Sequence, residues 1–308
     1  KTEHQLIDLS LTDALPISLP SSLFSLPCSL LPAPYSLFPV PCSLFPVPLC
    51  FIKLPKNRTT MKKILALWAT LRSTSTAFET MMLQRGDFLI VHEPFGLSYY
   101  NSPERRNTNR YPDLELNPEY NYQTTWQRLK QQADSQAVFI KDMAYYMFHV
   151  ADREFLSIFE NTFIVRHPAK MLPSLYDKWP DLTLEETGYA ELYKLFEMAK
   201  KFSGKIPVVI DSDDLVKKPE ATVKAYCDAV GIPFIREALK WEPKSRPELT
   251  NWDGGTWIAN AMSSSGFKEQ KKYNYVAVED NEHLQNAYEF CLPYYEKLWE
   301  HRIRITES

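Results

Sequence analysis

Five short, continuous runs of apolar residues recur along the chain, at residues 64–69, 88–91, 137–140, 162–165 and 206–210. Continuous apolar runs of this length are typical of strands that are buried on both faces of a parallel sheet. Segments whose apolar residues have helical spacing lie between several of these runs, so strands and helices alternate. The pattern predicts an α/β fold with three α/β/α layers around a mostly parallel central sheet.

Prolines, glycines and capping residues set the expected limits of the helices. These signals predict a helix over residues 119–133 after Pro118, one from the capping box at Thr183 to Phe202, one from Pro219 to just before Gly231, and a last helix capped by Asp280.

Polar or charged residues follow each of the five apolar runs. They are Arg72 to Thr76, then His92 and Glu93, then Lys141 and Asp142, then Arg166 and His167, and finally Asp211 and Asp213. Parallel strands end at the same edge of a sheet, and ligands of such folds bind beyond that edge. The sequence therefore predicts a ligand site there. We interpret the acidic group around Asp211 as a helix cap rather than a Mg²⁺ site.

The loop after the first run, residues 70–76, has four consecutive hydroxyl residues from Ser73 to Thr76, and Arg72 precedes them. A helix that starts after such a loop offers free backbone amides and the positive end of its dipole, so the segment predicts an anion site. Arg72 adds a fixed cation suited to oxyanions. The GxxxxGK[ST] pattern is absent, which weakens a kinase or NTPase interpretation.

Composition limits the function further. The 308 residues suffice for one large α/β domain, and the net charge of −3 gives no sign of a nucleic-acid partner. An enzyme with this charge that binds a polyanion must concentrate its cations locally. The five cysteines form no CxxC pair, which favours a reducing, cytoplasmic location, and the six histidines lack the spacing of a metal site.

Residues 1–60 differ from the rest of the chain, because they hold ten of its 23 prolines and a seven-residue repeat from Ser29 to Leu49. Dense proline blocks helices and central strands, so we expect this tract to be disordered. The prolines also argue against a signal peptide or a transmembrane helix. We expect translated repetitive DNA before a natural start at Met61, with a genuine proline-rich linker as the alternative. The domain itself is expected at residues 61–308.

The segment Leu71-Arg72-Ser73-Thr74-Ser75-Thr76 resembles the 5′-phosphosulfate loop of the sulfotransferase family, P-[RK]-S-G-T-[ST]. Leu71 stands where the family has proline, and Thr74 where it has glycine. Since glycine lets the backbone approach the phosphate, Thr74 must either tolerate that geometry or shift the loop.

Further segments carry the same resemblance over residues 61–300. Arg166 is followed eight residues later by Ser174, as in the family's 3′-phosphate element. Residues 210–220 and 231–234 resemble a later strand-to-helix region. Ser265 to Lys268, with Lys271 and Lys272, resembles the basic loop that closes on the 3′-phosphate. The chain is thus identified as a divergent, bacterial-type member of the P-loop sulfotransferases, which implies a P-loop NTPase-like fold.

The resemblance implies in-line transfer of a sulfuryl group from 3′-phosphoadenosine 5′-phosphosulfate to a hydroxyl or amine of a small-molecule acceptor, without a metal. Ser73, Thr74, Ser75 and Thr76 would hold the 5′-phosphosulfate together with Arg72, and Arg166, Ser174 and Lys268 would hold the 3′-phosphate. Arg72 would also stabilise the charge that builds on the leaving phosphate.

The resemblance also implies a base that takes the acceptor's proton. Several sulfotransferases use the histidine of a K-T-H segment, but the corresponding residues here are Lys141, Asp142 and Met143. Other branches use a glutamate after the second strand, which matches Glu93. We expect Glu93 to be the base, with a capping carboxylate as the alternative. His92 and Asp142 are the next candidates, and His149 is a distant fourth.

Two other functions stay open from the sequence, a small-molecule kinase that uses ATP and Mg²⁺, and a non-catalytic nucleotide-binding relative. The segment 96–125 is rich in tyrosine, with Tyr99, Tyr100, Tyr111, Tyr120 and Tyr122, and is expected either to cover an acceptor pocket or to be a surface excursion. No membrane partner is predicted, and the sequence leaves the acceptor and the oligomeric state open.

Overall fold

A computed structural model describes residues 64–250, 255–268 and 274–305, and the expectations for residues 1–60 lie outside them. The five predicted strands are present as β1 (Ile64–Ala69), β2 (Leu89–His92), β3 (Val138–Met143), β4 (Phe159–Val165) and β5 (Val208–Asp211). They form one parallel sheet in the order β2-β3-β1-β4-β5. The predicted parallel sheet is confirmed.

The helices are α1 (Ser75–Arg85), α2 (Pro94–Asn101), α3 (Tyr122–Ser135), α4 (Ala144–Met147), α5 (Arg153–Ser157), α6 (Pro168–Tyr176), α7 (Leu184–Thr187), α8 (Tyr189–Ser203), α9 (Ser212–Lys217), α10 (Pro219–Val230), α11 (Ala259–Met262) and α12 (Glu282–Glu300). Pro168 and Pro219 start their helices, and Gly231 ends α10 in the left-handed conformation, so the limits of α10 are as expected.

Helices cover both faces of the sheet, as adjacent residues of β4 show. Thr162 contacts Tyr226 of α10, with 3.2 Å between the two hydroxyl oxygens, whereas Phe163 packs its ring on Phe196 of α8. Successive side chains of a strand point to opposite faces, so α8 and α10 lie on opposite sides. The fold therefore has the expected three layers.

The central position of β1 decides where a ligand can bind. Its neighbours are β3 on one side and β4 on the other, so the chain winds toward β2 and β3 first and then toward β4 and β5. In open α/β sheets, the point where the winding reverses leaves a crevice at the carboxyl ends of the strands. The loop that follows β1 lies at this point.

Two predicted helix starts are wrong, for the same reason. Pro118 and Asp280 each belong to a single 3₁₀ turn, Pro118–Tyr120 and Val278–Asp280, that precedes the α-helix. The actual caps are asparagines, since Asn121 accepts a hydrogen bond from the Thr124 amide (2.8 Å) and Asn281 accepts one from Leu284 (3.0 Å).

The capping box at Thr183 is present, but the single helix expected after it is two helices. Gly188 ends α7 and begins α8 with a φ of 73°. A β-carbon at this glycine would lie 3.2 Å from the ring of Tyr145. The break therefore depends on both a left-handed backbone and a close tertiary approach.

The tyrosine-rich segment is buried at its two ends, in α2 and at the start of α3, and mostly exposed between them, at residues 103–120. Tyr99 and Tyr100 lie in α2 with at most 2% of their surface exposed, and Tyr122 is buried at the start of α3. Packing of these rings against Tyr145 and Tyr146 makes them part of the core. Over the residues that the structure describes, no helix has both the length and the apolar character to cross a membrane.

Candidate functional site

A cavity of about 810 Å³ lies at the carboxyl edge of the sheet. Eight of the residues expected in the site line it, namely Arg72, Ser73, Thr74, Ser75, Thr76, Glu93, Arg166 and Lys268. Ser174 does not line the cavity: it is buried, and its hydroxyl accepts a hydrogen bond from Arg72, which does line it. Lys271 and Lys272 lie outside the described residues.

The loop after β1 has an unusual backbone. Within the described chain, three residues other than glycine have a positive φ, and all three line the cavity: Arg72 (57°), Thr74 (70°) and Glu93 (41°). Left-handed backbone disfavours residues with a β-carbon, and β-branched threonine most of all. Thr74 thus adopts the left-handed conformation that glycine takes without strain.

Two hydrogen bonds, one within the loop and one from Ser212 of α9, hold the loop in place. Ser73 donates its hydroxyl proton to the carbonyl of Thr70 (2.7 Å), and Ser212 donates to the carbonyl of Ser73. The first amides of α1, at Ser75 and Thr76, have no protein hydrogen-bond partner among the described residues. They are therefore available to an anion at the helix N-terminus.

The guanidinium of Arg72 is held in place by two distant segments. Its Nε donates to Ser174 Oγ of α6 (2.9 Å), and its Nη1 donates to the carbonyl of Trp257 (3.0 Å). Both bonds orient the side chain and leave further N–H groups for a ligand, because a guanidinium carries five donors.

Arg166 joins the two motif segments directly. It follows β4, and its Nη1 donates to the carbonyl of Arg72 (2.8 Å). Tyr189 of α8 donates in turn to the carbonyl of Arg166. Burial lowers the pKa of Arg166 from its ordinary value, and the charge of Arg72 acts in the same direction. A bound anion would offset this cost.

Cations predominate in the cavity. The residues that carry positive charge are Arg72, Arg166, Lys170, Lys217 and Lys268, whereas the acidic ones are Glu93 and Asp213. A chain of net charge −3 therefore concentrates its cations at this edge, as expected for a polyanion site. No motif in the sequence singled out Lys170 or Lys217, although each lies close to a predicted element.

The carboxylate of Glu93 lines the cavity at the end of β2. Glu93 occupies the N-cap position of α2, but its side chain makes no capping hydrogen bond and contacts the ammonium of Lys141 instead. Burial raises the pKa of Glu93, yet the charges of Lys141 and His92 lower it by more, so the net pKa lies below its ordinary value. Glu93 is therefore ionised at neutral pH.

The remaining candidates for the base have other surroundings. Asp142 is buried and accepts hydrogen bonds from the amides of Phe95 (2.7 Å) and Met143 (2.8 Å), so it caps α2. Its burial and the charge of Glu93 raise the pKa of Asp142 well above the ordinary value. His149 packs on Tyr122, does not line the cavity, and has a pKa of about 4 because of its burial and Arg106.

Trp257, which the sequence did not single out, connects the tyrosine-rich segment to the site. The Trp257 ring packs edge-on against Trp179, with 4.6 Å between the centroids, and its indole donates to Tyr111 (3.2 Å). Arg110 lies over Trp179 at 4.4 Å and pairs with Glu186. The segment 102–117 thus supports the residue that holds Arg72. Trp257 holds Arg72 through its backbone carbonyl, a group that every residue type carries, so the sequence could not indicate this role.

The acidic residues after β5 form a cap, as interpreted from the sequence. The carboxylate of Asp211 accepts hydrogen bonds from the amides of Asp213 and Asp214 at the start of α9. Asp213 also pairs with Lys170 across the cavity wall.

The model of the sulfotransferase domain family matches residues 61–300. The chain belongs to the sulfotransferase family. The match covers both the loop after β1 and the Arg166 element, together with every described residue of the cavity lining.

The curated relatives share less than 30% sequence identity with this chain. "Branched-chain-amino-acid aminotransferase-like protein 2" of Arabidopsis thaliana is 28% identical over 227 residues, which are 68% of this chain and 37% of that protein. The sulfotransferase ppzF of Metarhizium majus (strain ARSEF 297) is 27% identical over 151 residues, 41% of this chain and 44% of that protein. The chain therefore matches less than half the length of these relatives.

Two solved structures are similar to this sulfotransferase domain. The sulfotransferase domain of the Synechococcus PCC 7002 olefin synthase is 15% identical, with a TM-score of 0.40 and coverage of 74% of this chain and 94% of that one. The sulfotransferase domain from the curacin biosynthetic pathway is 16% identical, with a TM-score of 0.38 and coverage of 80% and 94%.

Proposed function

We propose that this protein transfers a sulfuryl group from 3′-phosphoadenosine 5′-phosphosulfate to a hydroxyl or amine of a small-molecule acceptor. The observation that carries the proposal is the contact among Arg72, Arg166 and Ser174. Arg166 and Ser174 lie 94 and 102 positions after Arg72 in the sequence, yet both are hydrogen-bonded to Arg72 beside the cavity. A donor with phosphates at both its 5′ and 3′ positions needs two such anion-binding elements side by side.

In the proposed reaction, the loop amides and the hydroxyls of residues 73–76 hold the 5′-phosphosulfate at the N-terminus of α1. Arg166, Ser174 and Lys268 hold the 3′-phosphate. The acceptor oxygen attacks sulfur as it loses its proton, and the bond from sulfur to the bridging phosphate oxygen breaks. Arg72 stabilises the negative charge that this oxygen gains. The chain supplies these groups without a need for metal.

We also propose a cytoplasmic location. Cys227 and Cys291, the two cysteines in the described part of the chain, are both buried free thiols. Reducing compartments keep cysteines in this state.

Calorimetry with adenosine 3′,5′-bisphosphate tests the proposal, in parallel with transfer of ³⁵S from labelled donor to a panel of alcohols, phenols and amines. We expect binding without Mg²⁺ and transfer to at least one acceptor class. Binding of ATP that requires Mg²⁺ would favour a small-molecule kinase. Bisphosphate binding with no transfer would favour a non-catalytic relative, and absence of bisphosphate binding would overturn the proposal.

A further inference from the structure

Four ionisable side chains form a closed ring beneath the cavity, and we call them the charge quartet: Glu79, His92, Glu93 and Lys141. Glu79 lies on α1, one turn after the anion-binding amides, and its side chain is fully buried. His92 ends β2, and Lys141 pairs with it across the sheet in the register of β2 and β3. The quartet thus joins the donor-binding helix to the strand that carries Glu93.

Each cationic or basic member of the quartet faces both carboxylates. His92 Nδ1 is 2.8 Å from Glu79 Oε2, and its Nε2 is 3.8 Å from Glu93 Oε1. Lys141 Nζ contacts Glu93 Oε1 and lies 3.6 Å from Glu79 Oε2. Glu93 has 13% of its side chain exposed, whereas His92 has 5% and the other two have none. Glu93 is therefore the end of the quartet that meets the cavity.

The charge of the quartet depends on His92. With neutral His92, two carboxylates and one ammonium leave a net charge of −1, and one added proton brings the total to zero. Uncompensated charge in a buried site is costly, and one proton delivered to the quartet from an acceptor would compensate it. The neighbouring Asp142 of β3 is engaged by two backbone amides and does not contribute a free carboxylate.

We propose that the quartet, rather than Glu93 alone, takes the acceptor's proton, with Glu79 as the positioning residue that holds His92 and Lys141. The proposal rests on the proposed sulfuryl transfer. The acceptor O–H bond breaks toward Glu93, and the electron pair stays on the attacking oxygen. The Glu93 carboxyl then passes this proton to His92 Nε2. Nδ1–H of His92 donates to Glu79 throughout, which leaves Nε2 as the acceptor.

This arrangement explains how Glu93 can act although it is a weak base. Burial raises the pKa of Glu93, but the charge and the hydrogen bond of Lys141, together with the charge of His92 when it is protonated, bring the pKa below its ordinary value, so Glu93 alone has a low affinity for a proton. Transfer to His92 requires the 3.8 Å separation to shorten by roughly 1 Å, a change within the reach of a side-chain rotation on substrate binding. Oε1 of Glu79 has no hydrogen-bond partner among the described residues, so Glu79 is a buried charge retained for its contacts to His92 and Lys141.

Imidazole ¹⁵N spectra of the full chain test the quartet without any need for activity. We expect ligand-free His92, assigned with His92→Gln, to be the neutral Nδ1–H tautomer at pH 8.5, with a slowly exchanging Nδ1 proton. Glu79→Leu should remove that slow exchange and mix the tautomers. An Nε2–H tautomer, protonation of both nitrogens at this pH, or an unchanged spectrum in Glu79→Leu would overturn the proposal.

Kinetics provide the second test. Glu79→Gln removes one negative charge from the quartet, so its proton affinity falls. We expect kcat to drop about tenfold and the acidic limb of the kcat profile to move down by about one pH unit, with bisphosphate affinity unchanged. Glu191→Gln is the matched control, because the Glu191 side chain is only 17% exposed and pairs with Lys194 (3.8 Å) outside the quartet and outside the cavity lining.

The two proposals fail in different ways. Glu191→Gln should leave both kcat and the pH profile in place, and Glu79→Asp should restore part of the profile because it restores the charge. If Glu79→Gln changes stability but neither kcat nor the pH profile, the positioning role is wrong while sulfuryl transfer stands. If the wild-type protein transfers no sulfuryl group, the proposed function fails, and with it the catalytic role of the quartet, whatever the ¹⁵N spectra show.

Discussion

Two groups of charged side chains meet at the carboxyl edge of the sheet, and they differ in how their charge is balanced. The cavity cations, Arg72, Arg166, Lys170, Lys217 and Lys268, outnumber the acidic residues among them and face open space. The charge quartet lies below, where each cationic group is in contact with carboxylates. The first group is arranged for a ligand that supplies negative charge, whereas the second needs only a single proton to balance its charge.

This difference separates binding from chemistry. A ligand anion can compensate the cavity cations, so changes among them should act on donor affinity and on the charge of the leaving group. The quartet changes by a single proton, so changes within it should act on turnover and its pH dependence. Each of the following predictions tests one side of this separation.

The largest effect is expected at Arg72. Arg72→Ala removes the cation that we propose stabilises the bridging oxygen, and also the bonds to Ser174 and Trp257. We expect kcat to fall by about 10²–10³-fold, as for the loss of one preorganised donor to developing charge. Steady-state kinetics measure it. Arg236→Ala, at an exposed arginine paired with Glu220, should leave kcat unaltered; an equal loss there would show that the assay reports stability alone.

Glu93→Gln should lower turnover and leave nucleotide affinity unchanged. The substitution keeps the size of the side chain but removes the carboxylate that meets the cavity, so we expect kcat to fall about a hundredfold. The Kd of adenosine 3′,5′-bisphosphate should stay within about twofold, since Glu93 contacts Lys141 rather than the donor loop. Turnover equal to that of the wild type would remove Glu93 from the mechanism, and the exposed Glu237→Gln is a suitable control.

Arg166→Ala should weaken the binding of a nucleotide that carries a 3′-phosphate more than the binding of one that lacks it. We expect the Kd of adenosine 3′,5′-bisphosphate to rise about 10–100-fold, because a charge-assisted bond to phosphate is lost. Adenosine 5′-phosphate lacks the 3′ group, so its Kd should change far less. Calorimetry with both nucleotides provides the comparison. Equal losses for the two would mean that Arg166 supports the loop through the Arg72 carbonyl and does not bind the 3′-phosphate.

The smallest effect concerns the backbone of the donor loop. Thr74 has φ 70° and ψ 4°, and Gly86 at the other end of α1 has nearly the same angles, 75° and 2°. Thr74→Gly should raise the free energy of unfolding by about 0.5–1 kcal/mol, as relief of strain exceeds the added chain entropy. Gly86→Thr, at a position with open space around it, should lower that free energy by about 1–2 kcal/mol. Urea denaturation measures both.

An unchanged or lower stability of Thr74→Gly would show that the threonine side chain contributes to the loop despite its backbone. The Kd of the bisphosphate for this variant then tells whether Thr74 is retained for the donor.

The sequence was most informative where structure depends on local pattern. Buried parallel strands are continuous apolar runs, so β1 was located to the residue and the other strands to within a few positions. The helix starts at Asn121 and Asn281 were missed because a 3₁₀ turn with its own proline or aspartate precedes each cap. The break at Gly188 was missed because an isolated glycine also occurs within helices, and only the contact with Tyr145 identifies the turn.

The order of residues along the chain shows which polar groups follow each strand, and thereby which of them share the carboxyl edge of the sheet. That inference needs only the alternation of strands and helices, because all strands of a parallel sheet end at the same edge. How these groups pair with one another depends on the three-dimensional fold. The partners of Arg72 are 102 and 185 residues away, and those of Lys141 come from two other elements. Such contacts depend on strand order, register and side-chain direction, which no local pattern encodes.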